Sequence, residues 1–189
     1  MEYRVVHLPI SKIFADPSFN CRGHIQAIDV LDLAKDIEAR GLDQPITVQP
    51  YTGKPGYEFR VVAGHRRHMA FLINKAETIP CYIRDDLDEL KARTYNLREN
   101  LHRKDLNIVQ EANALKYFLD YKRHEGSEHS LFTLKELADL FGQSVGWVQA
   151  RKDLLKLPKE IQHEAAAGML TQDQVKHIAK LKDPKDQFE

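Results

Sequence analysis

The chain carries no net charge: 28 lysines and arginines face 28 aspartates and glutamates over 189 residues. That balance argues against tight binding to any and every DNA at physiological salt, because sequence-independent affinity comes from neutralised phosphates. A DNA-reading surface would have to be a local basic footprint offset by acid elsewhere, and Asp85-Asp86-Leu87-Asp88-Glu89 is one such offset. Cysteine is also scarce. Cys21 and Cys81 are the two present, and neither lies in a CxxC pair. A thiol redox centre or zinc site is therefore unsupported, and free thiols in a reducing cytosol are the expectation. No apolar run approaches the roughly 20 residues of a membrane span. The opening Met1-Glu2-Tyr3-Arg4-Val5-Val6-His7 lacks the apolar stretch of a signal peptide. Nine histidines are scattered; His65 and His68 could share a helix face, with no further ligand set in sight. Repeats and low-complexity tracts are missing too. What is present is 42% hydrophobic residues, enough to bury the core of one large domain or two small ones.

Extended and helical signals alternate over residues 1–85. Residues 3–10 read as a strand, and Asp16-Pro17 opens a polar loop to Arg22. Residues 29–40 read as an amphipathic helix with Val30, Leu33, Ala34 and Ile37 inward, opened by a capping box of Asp29 and Asp32 and stopped at Gly41. Residues 45–49 and 57–62 are strand-like runs about the break Thr52-Gly53-Lys54-Pro55-Gly56. A helix over 66–75 with Met69, Ala70, Leu72 and Ile73 inward and a strand over 79–84 complete a small α/β unit. From Asp86 onward every signal is helical. Capping boxes are expected at Asp86/Glu89, Asn107/Gln110, Thr133/Glu136 and Thr171/Gln174. Leu90, Leu97 and Leu101 recur at helical spacing, as do Ile108, Ala112, Leu115 and Leu119, and residues 124–130 are a polar loop. The expected class is α+β: an α/β domain over 1–85, connecting helices over 86–122, and a helical domain over 123–189.

Two strings carry chemistry. Gly64-His65-Arg66-Arg67 falls where a strand gives way to a helix. A glycine lets backbone N–H groups approach an anion, guanidinium forks match phosphate, and a helix N-terminus adds partial positive charge. Glu99-Asn100-Leu101-His102-Arg103 offers hard oxygen ligands of the kind Mg²⁺ takes beside substrate phosphates. Together they read as a metal–nucleotide site or, more blandly, as solvated turn charges. Residues 133–148 fit a helix-turn-helix, with Leu134, Leu137 and Ala138 inward, Gly142 at the turn and Ser144 capping a second helix anchored by Val148 and Leu155. An ordinary helical hairpin is the alternative. Gly146, Trp147 and Gln149 are the outward early positions; Gln149 suits an adenine edge and Arg151 and Lys152 suit phosphates, while Trp147 could instead pack beneath the turn.

The order of these motifs resembles the ParB family of chromosome and plasmid partition proteins, whose members share a ParB/sulfiredoxin-like α/β domain. The resemblance rests on Gly41-Leu42-Asp43-Gln44-Pro45-Ile46-Thr47-Val48, Val62-Ala63-Gly64-His65-Arg66-Arg67-His68-Met69-Ala70, Glu99-Asn100-Leu101-His102-Arg103-Lys104-Asp105-Leu106-Asn107, and the helix-turn-helix ending Leu154-Leu155-Lys156-Leu157-Pro158. It implies CTP and Mg²⁺ binding in the α/β domain, recognition of a palindromic double-stranded DNA site, a homodimer that closes as a clamp on DNA, a ParA-type ATPase partner, no membrane, and a cytoplasmic, nucleoid- or plasmid-associated protein. By motif position, Ala63, Gly64, His65, Arg66 and Arg67 should face phosphates, Gln44 and Thr47 the base, and Glu99 and Asn100 the metal, with Arg103 completing that motif. If CTP is hydrolysed, Asn20, Arg22 and Asn100 are the candidate catalytic residues. Gln143, Ser144, Gly146, Trp147, Gln149, Arg151 and Lys152 should form the DNA surface.

Departures from the family pattern are specific. His65 stands where the family's Gly-Glu-Arg-Arg-x-Arg-Ala string has its glutamate and Met69 where it has its third arginine, which removes a cation from the phosphate site. Asn20-Cys21-Arg22 is the nearest match to the family's Gln-Pro-Arg loop, so binding is the firmer expectation than hydrolysis. No counterpart of the family's C-terminal dimerisation domain is recognisable, and no cysteine between Gly64 and Met69 supports sulfiredoxin chemistry. A DNA-binding regulator without nucleotide gating, or a ParB-like nuclease, are the competing functions.

Overall fold

The computed structural model describes residues 4–104, 106–121 and 132–181. The loop expected at 124–130 lies outside them. The chain divides into two units, 1–99 and 100–189.

In the first unit, β-branched runs at Ile46–Pro50 (β3) and Phe59–Ala63 (β4) are buried on both faces and so take the middle of a sheet. With Val5–Pro9 (β1), Ile13–Phe14 (β2) and Thr78–Ile83 (β5) they form five strands in the order β1-β5-β3-β4-β2. The pairs β1/β5 and β3/β4 are antiparallel, and β3/β5 and β2/β4 are parallel. Ile10, Ile13, Ile46, Val48, Val61, Ile79 and Cys81 fill the core beside the sheet, and each large aliphatic buried there contributes roughly 1.5–3 kcal/mol. Helices Leu31–Arg40 (α1) and His65–Ile73 (α2) meet through Ala34, Ile37 and Ala70, the two small alanines bringing the backbones close.

Three details correct the sequence reading of this unit. Residues 27–30 form a 3-10 turn closed by a capping box of Gln26 and Asp29, so α1 starts at Leu31 and Asp29 is not its N-cap. Leu72 is 45% exposed: it shares a helix face with His65 and His68, but that face lines a cavity and Leu72 lies where the cover ends. Helix Glu89–Arg103 (α3) is opened by Asp88, whose Oδ1 accepts the Lys91 N–H at 2.7 Å. Asp86 is instead held by Arg84, at 2.6 and 2.8 Å, and Glu89 by Arg60 and Arg93.

The second unit is helical: Ile108–Asp120 (α4), Leu134–Phe141 (α5), Val145–Leu154 (α6), Lys159–Ala166 (α7) and Gln172–Ile178 (α8). Asn107, Thr133 and Thr171 make the expected capping boxes. Ala112, Leu154, Leu157, Ile161, Ala165 and Val175 form its core, and Phe118 stands edge-on to Phe132 and Phe141. On α6 the turn of the helix buries Leu154 and leaves Leu155, expected as an anchor, half-buried. Among the described residues no helix is long and apolar enough to cross a membrane.

Candidate functional site

The junction from β4 to α2 is built around Gly64. Its φ of +97° lies in the left-handed region, and a Cβ there would sit 2.7 Å from Ile46 Cγ2. Only glycine lets the turn press against β3. As the N-cap of α2, Gly64 has no side chain to cap the first-turn N–H groups, which together with the helix dipole make a seat for an anion. Arg66 and Arg67 lie in the first turn of α2 and are anchored to different segments of the chain. Arg66 Nη2 donates to Asp29 O at 3.1 Å, while Arg67 Nη1 donates to Pro45 O at 2.9 Å and to Gln44 O. Arg67 thereby draws the start of β3, with exposed Gln44 and buried Thr47, toward the turn.

His65 adds no cation here. It is 8% exposed, and its pKa is lowered to about 3 by burial first and then by His68. His68 is lowered to about 4, again by burial. Both imidazoles are neutral and contribute to the wall of a 420 Å³ cavity with Asn20, Met69 and Leu72, on the face of α2 away from the arginines.

The loop after β2 brings Asn20 and Arg22 to this junction. Asn20 spends its amide on shaping the loop: Nδ2 donates to Gly23 O at 2.7 Å, and Oδ1 accepts the Arg22 N–H at 3.3 Å. Cys21 donates its N–H to Asn96 Oδ1 at 3.1 Å, and Asn96 Nδ2 donates to Val62 O at 2.7 Å. Burial pushes the Cys21 thiol up to about 12, so it has no thiolate chemistry; the Cys81 thiol is pushed equally high. The charge of Arg22 acts on both Cys21 and His65, and that of half-buried Glu99 acts on Cys21. Asn20 and Arg22 thus lie near the Gly64 turn, and Glu99 near the same loop, within the first unit. Asn100 is buried and begins the second unit, and Arg103 is exposed at the end of α3.

Sequence reasoning missed Asn96 and Arg60. Arg60 is 4% exposed, ion-paired to Glu89, 3.9 Å from Asp16, and stacked at 4.1 Å over Phe19. Burial alone would raise the Glu89 carboxyl, but hydrogen bonds from Arg60 and Arg93 hold it below the usual range. The only signal for Asn96 was its place three residues before Glu99, on the same helix face.

The second unit contains a helix-turn-helix. Helix α5 ends at Gly142, φ +63°, and Ser144 Oγ accepts the Trp147 N–H at 3.0 Å to open α6. Gly146 is exposed, Gln143, Trp147 and Lys152 are half-buried, and Gln149 Nε2 donates to Asp153 Oδ2 at 2.7 Å. Arg151, expected on a DNA phosphate, is a correction. It is 6% exposed, gives Glu111 two bonds at 2.9 and 2.6 Å and Gln172 one at 2.8 Å, and lies 4.3 Å over the Trp147 ring. It clamps α6 to α4 and α8.

An α/β unit whose second helix is opened by a glycine and carries two arginines in its uncapped first turn, followed by a unit that contains a helix-turn-helix, defines a two-part class of protein. The chain belongs to the ParB family: the ParB N-terminal domain matches residues 1–101 and the ParB HTH domain residues 104–189. It is similar to the chromosome-partitioning protein ParB of Caulobacter vibrioides, 33% identical over 157 residues, 82% of this chain and 48% of that protein. It is similar also to the nucleoid occlusion protein of Listeria innocua, 30% identical over 184 residues, 97% of this chain and 60% of that protein. The chain therefore spans about half to three-fifths of the length of these curated relatives. Among solved structures, C-terminally truncated ParB from Caulobacter crescentus complexed to the centromeric parS site is 30% identical with a TM-score of 0.62, covering 96% of this chain and 88% of that one.

Proposed function

We propose that this chain is a CTP-gated, site-specific DNA clamp of the ParB type that acts in partition of a chromosome, plasmid or phage. One observation carries the reading: the uncapped N-terminus of α2, opened by a glycine that tolerates no Cβ, carries Arg66 and Arg67 in its first turn, close enough to Arg22 for that charge to act on His65, in a chain whose other unit contains a helix-turn-helix. That seat fits a nucleotide triphosphate with its metal. The first-turn N–H groups and the arginines would take phosphate oxygens, Glu99 and Asn100 would supply oxygen ligands to Mg²⁺, and Gln44, just before β3, and Thr47, on it, would face the base. Bound Mg²⁺ would neutralise phosphate charge; the chain's own residues bind and orient. Gln143, Ser144, Gly146, Trp147, Gln149 and Lys152 form the DNA-facing set, and a second copy and a ParA-type ATPase are its protein partners. Asn20 is held within its loop and shapes the backbone that presents Arg22, so turnover, where it occurs, depends on loop geometry more than on a general base.

Calorimetric titration with each of the four ribonucleoside triphosphates, with and without Mg²⁺, tests the reading. Heat for CTP alone and only with Mg²⁺ supports it. Equal heats for all four, or none, overturns it and leaves a DNA-binding regulator without nucleotide gating.

A further inference from the structure

We propose that Asn96 is the positioning residue of this site: its buried carboxamide ties the Asn20–Arg22 loop and the end of β4 to α3, fixing Arg22, the Gly64 turn and Glu99 in one geometry. The inference rests on the nucleotide reading above.

The register between β3 and β4 shifts from Thr47↔Ala63 to Val48↔Val61, which makes Val62 the extra residue of a β-bulge. A bulge bends its strand and frees a backbone group from the ladder, and buried backbone groups need partners. Asn96, 2% exposed, supplies one: its Nδ2 donates to Val62 O at 2.7 Å. Its Oδ1 takes the Cys21 N–H at 3.1 Å, a donor that a proline at that position would lack. The two bonds reach segments 75 and 34 residues away in the chain. Val62 lies two residues before the anion seat, Cys21 lies between Asn20 and Arg22, and Glu99 lies one helical turn beyond Asn96. Ala92, one turn earlier on α3, packs with Val62 and Phe19, so this face of the helix is anchored on both sides of the tie. An amide used this way is a support behind the ligands, and loss of such support typically costs 10–100-fold in affinity.

The test is Asn96→Leu, close in volume and without either polar function, in the whole chain. The readouts are CTP calorimetry at several Mg²⁺ concentrations and amide hydrogen exchange at Cys21. The folded variant is expected to lose roughly 10–100-fold in CTP affinity, to need more Mg²⁺, and to exchange the Cys21 amide faster. Its nucleotide-free DNA binding should match wild type. Asn96→Asp keeps the acceptor for Cys21 and loses the donor to Val62. It serves if Asn96→Leu fails to fold, and is expected to lose CTP affinity with the Cys21 amide still protected. Unchanged CTP affinity and Mg²⁺ dependence in a folded variant overturns this inference alone. Absence of CTP binding by the wild-type chain ends the nucleotide reading and this inference with it.

Discussion

Arg151→Ala separates an arginine that holds the helix-turn-helix together from one that reads DNA. The side chains of Arg151 and Glu111 are 8% and 16% exposed, and the guanidinium also serves Gln172 and the Trp147 ring. Burial tends to lower the Arg151 pKa, and the Glu111 carboxylate opposes it. Truncation would leave Glu111 buried without its partner, an arrangement that costs about 3–5 kcal/mol. At about 4 °C per kcal/mol, the lower end of the range for a unit of this size, the loss corresponds to a melting temperature lower by at least ~12 °C. Trp147 is the one tryptophan in the chain, so its fluorescence in urea reports the second unit directly. The double variant Arg151→Met/Glu111→Leu should recover most of the loss, because no charge is left unpaired. Lys152→Ala is the contrast: its urea midpoint should stay at the wild-type value while the salt dependence of DNA binding flattens by about one unit of slope. If Arg151→Ala keeps the wild-type midpoint and weakens binding to all DNA sequences alike, the arginine is a phosphate ligand and the clamp is wrong.

Two further outcomes follow from the first unit. Gly64→Ala should abolish triphosphate binding in calorimetry, since a residue with a Cβ pays about 1–3 kcal/mol at φ +97° and meets Ile46 at 2.7 Å; wild-type affinity in that variant would displace the anion seat from α2. Acid should destabilise the unit through His65 and His68, whose folded pKa values of about 3 and about 4 lie below their ordinary 6.5. The unfolded chain binds the extra protons, so this stability is complete above pH 6.5 and is lost as pH falls toward 4. At pH 5 each histidine accounts for roughly 2 kcal/mol. His68→Phe should remove its share, read as a shallower fall of urea midpoint between pH 7 and 5, and an unchanged pH profile would show that the imidazole is not neutral in the fold.

Much of the fold was legible because it is local. Asn107 and Gln110, or Thr133 and Glu136, are three residues apart and need nothing else to cap a helix. The β-branched runs at β3 and β4 announce buried strands in the same way, and Gly64 between Ala63 and His65 marks the strand-to-helix turn. The supports of the site were not legible, because their partners are distant in sequence. Asn96 is defined by a bulge at Val62 and an N–H at Cys21, and a polar residue on α3 gives no hint of either. Arg151 looked like a phosphate ligand because an arginine on a second helix has the right chemistry; Glu111 and Gln172, 40 and 21 residues away, turn it inward. Leu72 and the α1 cap failed for a related reason. Helical periodicity fixes which residues share a face, while what covers that face is a tertiary matter.

The gated-clamp account stands or falls on topological retention. The intact cellular polypeptide, loaded with CTP and Mg²⁺ on DNA carrying its selected palindromic site, should remain bound after a high-salt wash when the DNA is a closed circle, and should be released when the same DNA is linear with open ends. Trapping by topology is insensitive to salt, whereas phosphate contacts are not. Equal retention on circular and open linear DNA, or retention that does not depend on CTP, would contradict the account.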